Sequence, residues 1–187
     1  MRVIAGTARG THLQALPGTD ITRPTIDRVK EAMFSAVQFM LPGAQVLDLF
    51  AGSGQLGIEA LSRGAQRCVF LDENHAATQV VTQNLKAAGL FSQASVANMS
   101  AEAFLAAAKE PFDLVLLDPP YRHDTLAGIL PAVDRVLAPG GIALCESEPG
   151  ALLPETVGAL VRQKQYRYGK VQVTKYQKPY ADEEAQR

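Results

Sequence analysis

A carboxylate, two prolines and a tyrosine end one of the most apolar runs of the chain. The run begins at Phe112 and leads into Asp118-Pro119-Pro120-Tyr121. The prolines restrict the backbone and remove two amide donors, so rigid carbonyl acceptors lie beside a carboxylate, and the tyrosine offers a ring for stacking. Such acceptors can bind the hydrogens of a planar exocyclic amine and turn its nitrogen toward an electrophile. These four residues are candidate catalytic residues, and an ordinary strand end with a proline turn is the alternative.

A glycine-rich stretch follows a second apolar run. Gly52, Gly54 and Gly57 match the pattern G-x-G-x-x-G, which serves a tight turn, a close backbone approach to a ligand and close packing of helix on strand. Asp48 lies four residues before this pattern, and Asp72 lies twenty residues after its first glycine, where an acid can hold ribose hydroxyls. A carboxylate beside the loop would repel the pyrophosphate of a dinucleotide. The stretch therefore predicts a cationic nucleoside ligand.

The composition indicates one α/β domain. The chain has 187 residues, of which 47% are hydrophobic and 20% charged, which suits one well-filled domain better than two. Cys68 and Cys145 lie in apolar runs without a C-x-x-C pair, and the histidines form no cluster, so we expect free thiols in a reducing cytosol and no metal site. The chain also lacks a long apolar segment at its start or elsewhere. We therefore expect a soluble, cytoplasmic protein without a membrane partner.

Positive charge is concentrated toward both ends of the sequence. Residues 1–30 contain five basic and two acidic residues, residues 161–180 contain six basic and none acidic, and residues 31–160 contain six basic and fourteen acidic. This distribution predicts that the ends bind a polyanion while the acidic centre suits a cation, and ordinary solvated surface charge is the alternative. The candidate RNA-binding residues are Arg2, Arg9, Arg23, Arg28, Lys164 and Lys170.

Alternating strand and helix patterns must position these residues. They predict a mostly parallel sheet with helices on both faces and an antiparallel hairpin at its edge. Expected strands lie near 45–49, 67–72, 93–97, 112–118 and 140–146, with the edge hairpin over 160–168 and 171–177. Expected helices lie near 55–63, 74–88, 100–108 and 124–137. The whole chain, 1–187, is expected to be a single domain, with a short hairpin extension over 1–22, a leading helix over 23–41, a core over 45–178 and a frayed tail over 179–187.

Taken together, these motifs resemble the class I, S-adenosylmethionine-dependent amino-methyltransferases. The resemblance extends to the bacterial small-subunit ribosomal RNA guanine-N2 methyltransferases of the D type, through Arg23-Pro24-Thr25-x-x-Arg28-Val29-Lys30-Glu31, Leu47-Asp48-Leu49-Phe50-Ala51-Gly52-Ser53-Gly54, Glu59-Ala60-Leu61-Ser62-Arg63-Gly64-Ala65 and Tyr168-Gly169-Lys170. It implies a Rossmann-like sheet of seven strands and S-adenosylmethionine as the methyl donor. It also implies, as substrate, a guanine of small-subunit ribosomal RNA in an assembled or assembling particle. We expect a monomer.

The resemblance also implies a set of cofactor-binding residues. One segment departs from the family pattern: Met99-Ser100-Ala101, preceded by Asn98, stands where Gly-Asp-Ala is common. Ser100 could accept from the adenine amino group, and the backbone amide of Met99 could bind the ring. The predicted cofactor-binding residues are Asp48, Phe50, Ala51, Gly52, Ser53, Gly54, Gly57, Asp72, Glu73, Met99, Ser100 and Asp118.

Three other functions remain open at this stage. An adenine-N6 methyltransferase acting on RNA or DNA would use the same Asp-Pro-Pro-Tyr group. Guanine is favoured because its N1–H lies next to the N2 amine, so that one carboxylate can accept from both, whereas adenine N1 is an acceptor. A nucleotide-dependent oxidoreductase would leave Asp118 without a role, and a non-catalytic RNA-binding module would not need it.

Overall fold

Eight strands form one sheet in the computed structural model, which describes residues 1–17, 23–120 and 125–181. The strand order is β3-β2-β1-β4-β5-β8-β7-β6. The first five strands in this order are parallel, and the last three are antiparallel. The strands are β1 (Gln45–Asp48), β2 (Arg67–Asp72), β3 (Ala94–Asn98), β4 (Phe112–Leu117), β5 (Leu137–Ser147), β6 (Thr156–Val157), β7 (Leu160–Tyr168) and β8 (Val171–Gln177).

The mostly parallel sheet with an antiparallel edge hairpin is confirmed, with two differences from the expected strands. The sheet has eight strands and not seven, because the two-residue strand β6 adds a short antiparallel edge beside β7. Two residues are too few to produce a hydrophobic period. Strand β5 begins at Leu137 and not near residue 140 as expected, so it includes Pro139, Gly140 and Gly141. The register of β5 against β4 shifts beside these residues, between Phe112 and Leu114.

In the described part of the chain, five α-helices cover the two faces of the sheet. They are α1 (Arg23–Ser35), α2 (Gln55–Ser62), α3 (His75–Ala87), α4 (Ala101–Ala107) and α5 (Thr125–Val136), and a 3₁₀ turn spans Phe91–Gln93. Buried residues of α1, α2 and α3 form one core, which we call the first core, with alternate strand residues such as Leu114 and Leu116. Residues of α4 and α5 form the second core on the opposite face, with residues such as Leu47 and Val115. The near-continuous burial of β1 and β4 follows from this two-sided cover.

The leading helix is shorter than the expected range 23–41. Helix α1 ends at Ser35, and residues 36–40 form turns in which the amides of Val37 and Met40 donate to carbonyls three residues earlier. Val37 is nevertheless buried in the first core, which explains why the apolar period continued past the end of the helix. Within the expected tail, Pro179 and Tyr180 have no regular secondary structure, and residues 182–187 lie outside the described residues. The single-domain assignment stays a prediction.

The N-terminal segment, residues 1–14, is fixed to α2 and α3 by buried polar groups. It folds back on itself through one antiparallel bridge between Arg2 and His12. The carboxylate of Glu59, fully buried in α2, accepts from the amides of Ile4 and Ala5 at 2.9 and 3.0 Å. It is neutralised by Lys30 at 3.5 Å and by Arg63 at 2.8 Å. The expected hairpin extension is therefore part of the folded structure against the first core.

Candidate active site at the carboxyl edge of the parallel strands

Three aspartates from separate strands lie at the same edge of the sheet. Asp48 ends β1 in register with Phe70 of β2 and Leu116 of β4. Asp72 ends β2, and Asp118 directly follows β4. The carboxyl ends of parallel strands are where ligands bind in open α/β sheets. The sheet thus brings together the two stretches that the sequence singled out, 70 positions apart.

The glycine loop between β1 and α2 has the backbone geometry that its sequence pattern predicts. Gly52 and Gly54 have positive φ values of 54° and 78°, and the amide of Gly54 donates to the carbonyl of Ala51 at 2.6 Å. A Cβ on Gly57 would lie 2.3 Å from the ring of Phe70 and 2.8 Å from the sulfur of Cys68, so α2 can approach β2 only with glycine here. Tight turning and close helix packing are therefore both present. Buried Ala51 and Ser53 complete the loop, and half-buried Phe50 packs against the second core.

Asp48 is buried beneath this loop. Its Oδ2 accepts from the amide of Gly57 at 2.9 Å, while its Oδ1 is buried without a hydrogen-bond partner in the described part of the chain. Burial raises the pKa of Asp48 to about 7, the bond from Gly57 opposes this shift, and the negative charges of Asp118 and Asp72 add to it. A buried acceptor without a partner, among three carboxylates, suits a cationic ligand with a hydrogen-bond donor.

Asp72 anchors the loop as well as facing the candidate cofactor site. Its Oδ2 accepts from the amide of Gly52 at 2.9 Å, and its Oδ1 accepts from the amide of Asn74 at 2.8 Å. Each carboxylate oxygen retains a second lone pair, so the expected bond to a ribose hydroxyl is compatible with both contacts. The next residue, Glu73, is exposed at the same edge. Both remain predicted cofactor-binding residues.

The segment after β3 differs from its expected role in one respect. Ser100 is the N-cap of α4, and its hydroxyl accepts from the amide of Ala103 at 3.1 Å. This bond uses one lone pair of the hydroxyl, and the second lone pair and the hydroxyl hydrogen are left for other contacts. Met99 is half-buried and packs against the second core. The adenine contact of these two residues stays a prediction.

The Asp-Pro-Pro-Tyr group is described up to its third residue. Asp118 is partly exposed, Pro119 is buried and Pro120 is exposed. Loss of solvation raises the pKa of Asp118 to about 6, so its carboxylate is mainly ionised at neutral pH and accepts hydrogen bonds. Tyr121, the expected stacking residue, lies outside the described residues.

The predicted RNA-binding residues are in two regions. Arg2, Arg9 and Arg28 belong to the N-terminal segment and α1, and Arg9 and Arg28 are exposed. The side chain of Arg2 is 61% exposed, and its guanidinium forms an ion pair with Asp27 at 3.2 Å. The side chain of Arg23 lies outside the described residues, although its backbone begins α1. Lys164 and Lys170 are exposed on the hairpin of β7 and β8.

Sequence reasoning missed three polar residues that shape this site. Asn98 donates from Nδ2 to the carbonyls of Asp72 and Glu73, at 2.9 and 2.8 Å, and so fixes the backbone next to the loop. Asn84 lies buried in α3 and donates to the carbonyl of Ser53 at 2.8 Å. The hydroxyl of Ser147, at the end of β5, is buried without a partner in the described ranges. One signal was available: Asn84 interrupts the apolar stripe of α3 between Val81 and Leu85.

The described residues show neither a metal-binding cluster nor a membrane-spanning helix. Within residues 1–17, 23–120 and 125–181, three His, Cys, Asp or Glu side chains nowhere come together as a metal-binding group. Over the same ranges, none of the helices combines the length and apolar character that a membrane span requires. Cys68 and Cys145 are both buried free thiols, as expected.

The chain is similar to known proteins over most of its length. Residues 1–177 match the model of the family described as conserved hypothetical protein 95. YlbH of Bacillus subtilis, named as a candidate rRNA methyltransferase, is 44% identical over 183 residues, which cover 95% of this chain and 99% of that protein. Ribosomal RNA small subunit methyltransferase D of Escherichia coli is 40% identical over 126 residues, which cover 67% of this chain and 63% of that protein.

A solved structure supports the same relationship. The candidate methyltransferase YhhF from Escherichia coli aligns with a TM-score of 0.85 and 34% identity, over 96% of this chain and 98% of that chain. The family resemblance expected from the motifs is confirmed: the chain belongs to the conserved hypothetical protein 95 family, the family of the ribosomal RNA small subunit methyltransferase D proteins, and has the class I methyltransferase fold.

Proposed function

We propose that this protein transfers a methyl group from S-adenosylmethionine to the N2 amine of a guanine in small-subunit ribosomal RNA. The observation that carries the proposal is the position of Asp118 at the same sheet edge as the glycine loop, close enough for its charge to raise the pKa of Asp48. A candidate amine-binding group and a candidate cofactor site therefore share one edge. The homologues named as rRNA methyltransferases support RNA as the substrate.

The residues beneath the glycine loop fit a sulfonium nucleoside. S-adenosylmethionine, when bound, supplies an electrophilic methyl group on a positively charged sulfur. Asp48, Asp72 and Asp118 give the site the negative charge that such a ligand needs. The free Oδ1 of Asp48 is available to a donor of the ligand, and Asp72 is available to its ribose. A bound cation lowers the pKa of Asp48 and so favours the ionised form.

Asp118 and Pro119 would hold the acceptor base by hydrogen bonds. The carboxylate of Asp118 accepts from N1–H and N2–H of guanine, and the carbonyl of Pro119 accepts the second hydrogen of N2. The bound donor would supply the methyl group to N2 and leave as a neutral thioether that keeps the S–CH₃ electron pair, and the proton released from N2 would pass to the Asp118 carboxylate or to solvent. Positioning and electrostatic stabilisation suffice, because the leaving group is neutral and no strong base is required.

Transfer of a radiolabelled methyl group tests the proposal. Small-subunit ribosomal RNA, free and assembled into particles, is incubated with the protein and labelled S-adenosylmethionine, then digested to nucleosides. We expect label in N2-methylguanosine, and the comparison of the two substrates shows whether an assembled particle is required. Label in N6-methyladenosine would show that the substrate base is adenine and not guanine. Cofactor and RNA binding without any transfer would instead favour a non-catalytic RNA-binding module, and binding of a nicotinamide dinucleotide would favour an oxidoreductase.

A further inference from the structure

Strand β7 presents a row of one cation and two aromatic rings on a single face. Lys164, Tyr166 and Tyr168 alternate along the strand, so their side chains point to the same side of the sheet. The rings of Tyr166 and Tyr168 lie 6.2 Å apart between centroids, with only 14° between their planes. The ammonium group of Lys164 lies over the ring of Tyr166, 5.0 Å from its centroid. We call these three residues the β7 row.

Tyr168 is the terminal member of the β7 row. Lys164 precedes Tyr166 and Tyr168 follows it, so Tyr166 has a neighbour on each side along the strand, whereas Tyr168 has a neighbour within the row on one side only. Tyr168 is the last residue of β7 and directly precedes the Gly169–Lys170 turn. Both tyrosines are only half-buried, although they pack at one side against the first core. A planar group can therefore extend the stack beyond Tyr168.

The β7 row lies at the same ends of the strands as the candidate active site and on the same face of the sheet. Leu117 is in register with Cys145, Cys145 with Thr174, and Thr174 with Gln165. Asp118 follows Leu117, and Tyr166 follows Gln165. Asp118 and Tyr166 are therefore level with each other and separated by three strand spacings, or about 14 Å at about 4.8 Å per strand. By the alternation of the strand, Asp118 is on the same face of the sheet as Leu114 and Leu116, which belong to the first core. Tyr166 and Tyr168 contact the same core.

The charge around the row is suited to a polyanion. Residues 161–180 contain six basic residues and no acidic one. Lys164 is paired across the strands with Lys175, whose ammonium group donates to the carbonyl of Ala36 at 3.2 Å, while that of Lys164 lies over the Tyr166 ring. Lys170 is exposed in the turn next to Tyr168. The hairpin itself, residues 160–177, contains no acidic residue that would repel phosphate groups.

We propose that the β7 row binds single-stranded RNA next to the target nucleotide, with an unpaired base stacked on Tyr168 and phosphates on Lys164 and Lys170. This inference rests on the proposed function for the identity of the RNA, and it adds a second contact a few nucleotides from the target base. Aromatic side chains and cations together are the means by which proteins hold single strands. Base stacking needs an accessible base face, so a duplex cannot use this contact.

Binding of a fluorescently labelled, unstructured 12-nucleotide RNA tests the inference, with anisotropy measured over a salt series. Tyr168→Leu keeps an apolar side chain against the first core but removes the ring. We expect binding about fivefold to about a hundredfold weaker, with the salt slope of the wild type. Tyr168→Phe keeps the ring and should bind like the wild type. Lys170→Gln should instead flatten the slope of log affinity against log salt by about 0.7.

Tyr180→Ala is the matched control. Tyr180 is 58% exposed and lies beside Gly140, near the start of β5 and therefore at the opposite edge of the sheet. Its removal should leave RNA affinity unchanged. Calorimetric titration with S-adenosylmethionine verifies that each variant is folded.

Three results would overturn the inference: wild-type affinity in Tyr168→Leu, equal loss in Tyr168→Phe, or equal loss for a duplex of the same sequence. A partner protein on this face would leave all RNA affinities unchanged. The labelled-methyl assay is a separate readout. If the RNA-binding pattern holds but no N2-methylguanosine forms, the proposed reaction fails and the stacking contact stands.

Discussion

The side-chain amide of Asn84 joins the N-terminal segment to the cofactor loop. Its Nδ2 donates to the carbonyl of Ser53 at 2.8 Å and to that of Gln14 at 3.0 Å, while its Oδ1 accepts from the amide of Gln14 at 2.8 Å. Asn84 is 1% exposed, so these bonds are protected from water. The glycine loop is therefore held from beneath by a residue that no cofactor is expected to touch.

Replacing Asn84 by leucine should weaken both folding and cofactor binding. The buried carbonyl of Ser53 and the backbone of Gln14 would lose their partner, at a cost of about 1–3 kcal/mol in the free energy of unfolding. Thermal unfolding and calorimetric titration with S-adenosylmethionine measure the two effects. Gln79→Leu, at an exposed position of the same helix, is the control. A stable Asn84→Leu protein with wild-type affinity would show that the loop does not depend on this residue.

The affinity for S-adenosylmethionine should rise with pH as Asp48 ionises. Its pKa of about 7 means that the empty site is largely protonated below pH 7, and a cation binds the ionised form better. We expect log affinity to increase from pH 5.5 to about pH 7 and to level off above. Asp48→Asn should bind weakly, with a flatter profile. A wild-type profile that is flat over this range would contradict the raised pKa.

Asp48 should also make the stability of the empty protein depend on pH. A raised pKa in the folded state means that the folded protein binds more protons than the unfolded chain, whose aspartate pKa is about 3.9, so the stabilisation is complete below about pH 4 and is lost as pH rises through about 7. Asp118, whose pKa is about 6, acts in the same direction. In Asp48→Asn, the fall in unfolding free energy between pH 4 and 7 should be smaller than in the wild type. Denaturant unfolding at several pH values measures it.

Asp72→Asn should weaken S-adenosylmethionine binding by about 1.5–3 kcal/mol through loss of charge-assisted bonds. The asparagine oxygen can still accept from the amide of Gly52, which Asp72 binds at 2.9 Å, so the loop is disturbed less than in an alanine variant. Calorimetry gives the affinity, and Glu110→Gln, an exposed change of the same kind, is the control. Equal affinities would remove Asp72 from the cofactor site.

Asp118→Ala should lower the rate of methyl transfer by about 10²–10³ with little change in cofactor affinity. The main loss is of the hydrogen bonds to the acceptor base, because the carboxylates of Asp48 and Asp72 remain for the sulfonium nucleoside. Single-turnover kinetics with labelled S-adenosylmethionine measures the chemical rate directly. In the wild type this rate should increase as pH rises through about 6, where Asp118 ionises. A variant with normal turnover would leave the Asp-Pro-Pro-Tyr group without a catalytic carboxylate.

Arg9→Gln combined with Arg28→Gln should weaken RNA binding and flatten its salt dependence. Both side chains are exposed, and each lost phosphate contact should reduce the slope of log affinity against log salt by about 0.7–0.9. Point changes are needed because deletion of residues 1–14 would leave the buried carboxylate of Glu59 without its amide partners. Arg67→Gln, exposed at the start of β2, is the control. An unchanged slope would mean that neither arginine touches phosphate.

Local patterns predicted the parts of the fold that depend on local chemistry. Buried runs identified the five parallel strands, and the glycine spacing identified the turn whose φ values are positive at Gly52 and Gly54. The aspartates at strand ends could be placed at one edge, because parallel strands share their direction. The two-residue strand β6 and the end of α1 at Ser35 depend on tertiary contacts and leave no period in the sequence.

Choices of long-range partner could not be predicted from the sequence. Glu59 and Ser62 were recognised only as parts of a family motif, and their bonds to residues 4–8 follow from where the first core places the N-terminal segment. Asp48 was expected to face a ligand, yet one of its oxygens binds the amide of Gly57. Such bonds are decided by the packing of α2 on β2, which a one-dimensional pattern does not contain.

The attachment of residues 1–14 also constrains the order in which the chain can fold. These residues precede their buried partners by 54 to 70 positions, so during synthesis they emerge well before Glu59, Ser62 or Asn84 exists. They must stay unpaired until α2 and α3 have packed on the sheet, because a segment of this length cannot bury enough surface alone. The N-terminal segment is therefore expected to join last. Substitution of Glu59 would then speed unfolding while leaving the folding rate nearly unchanged.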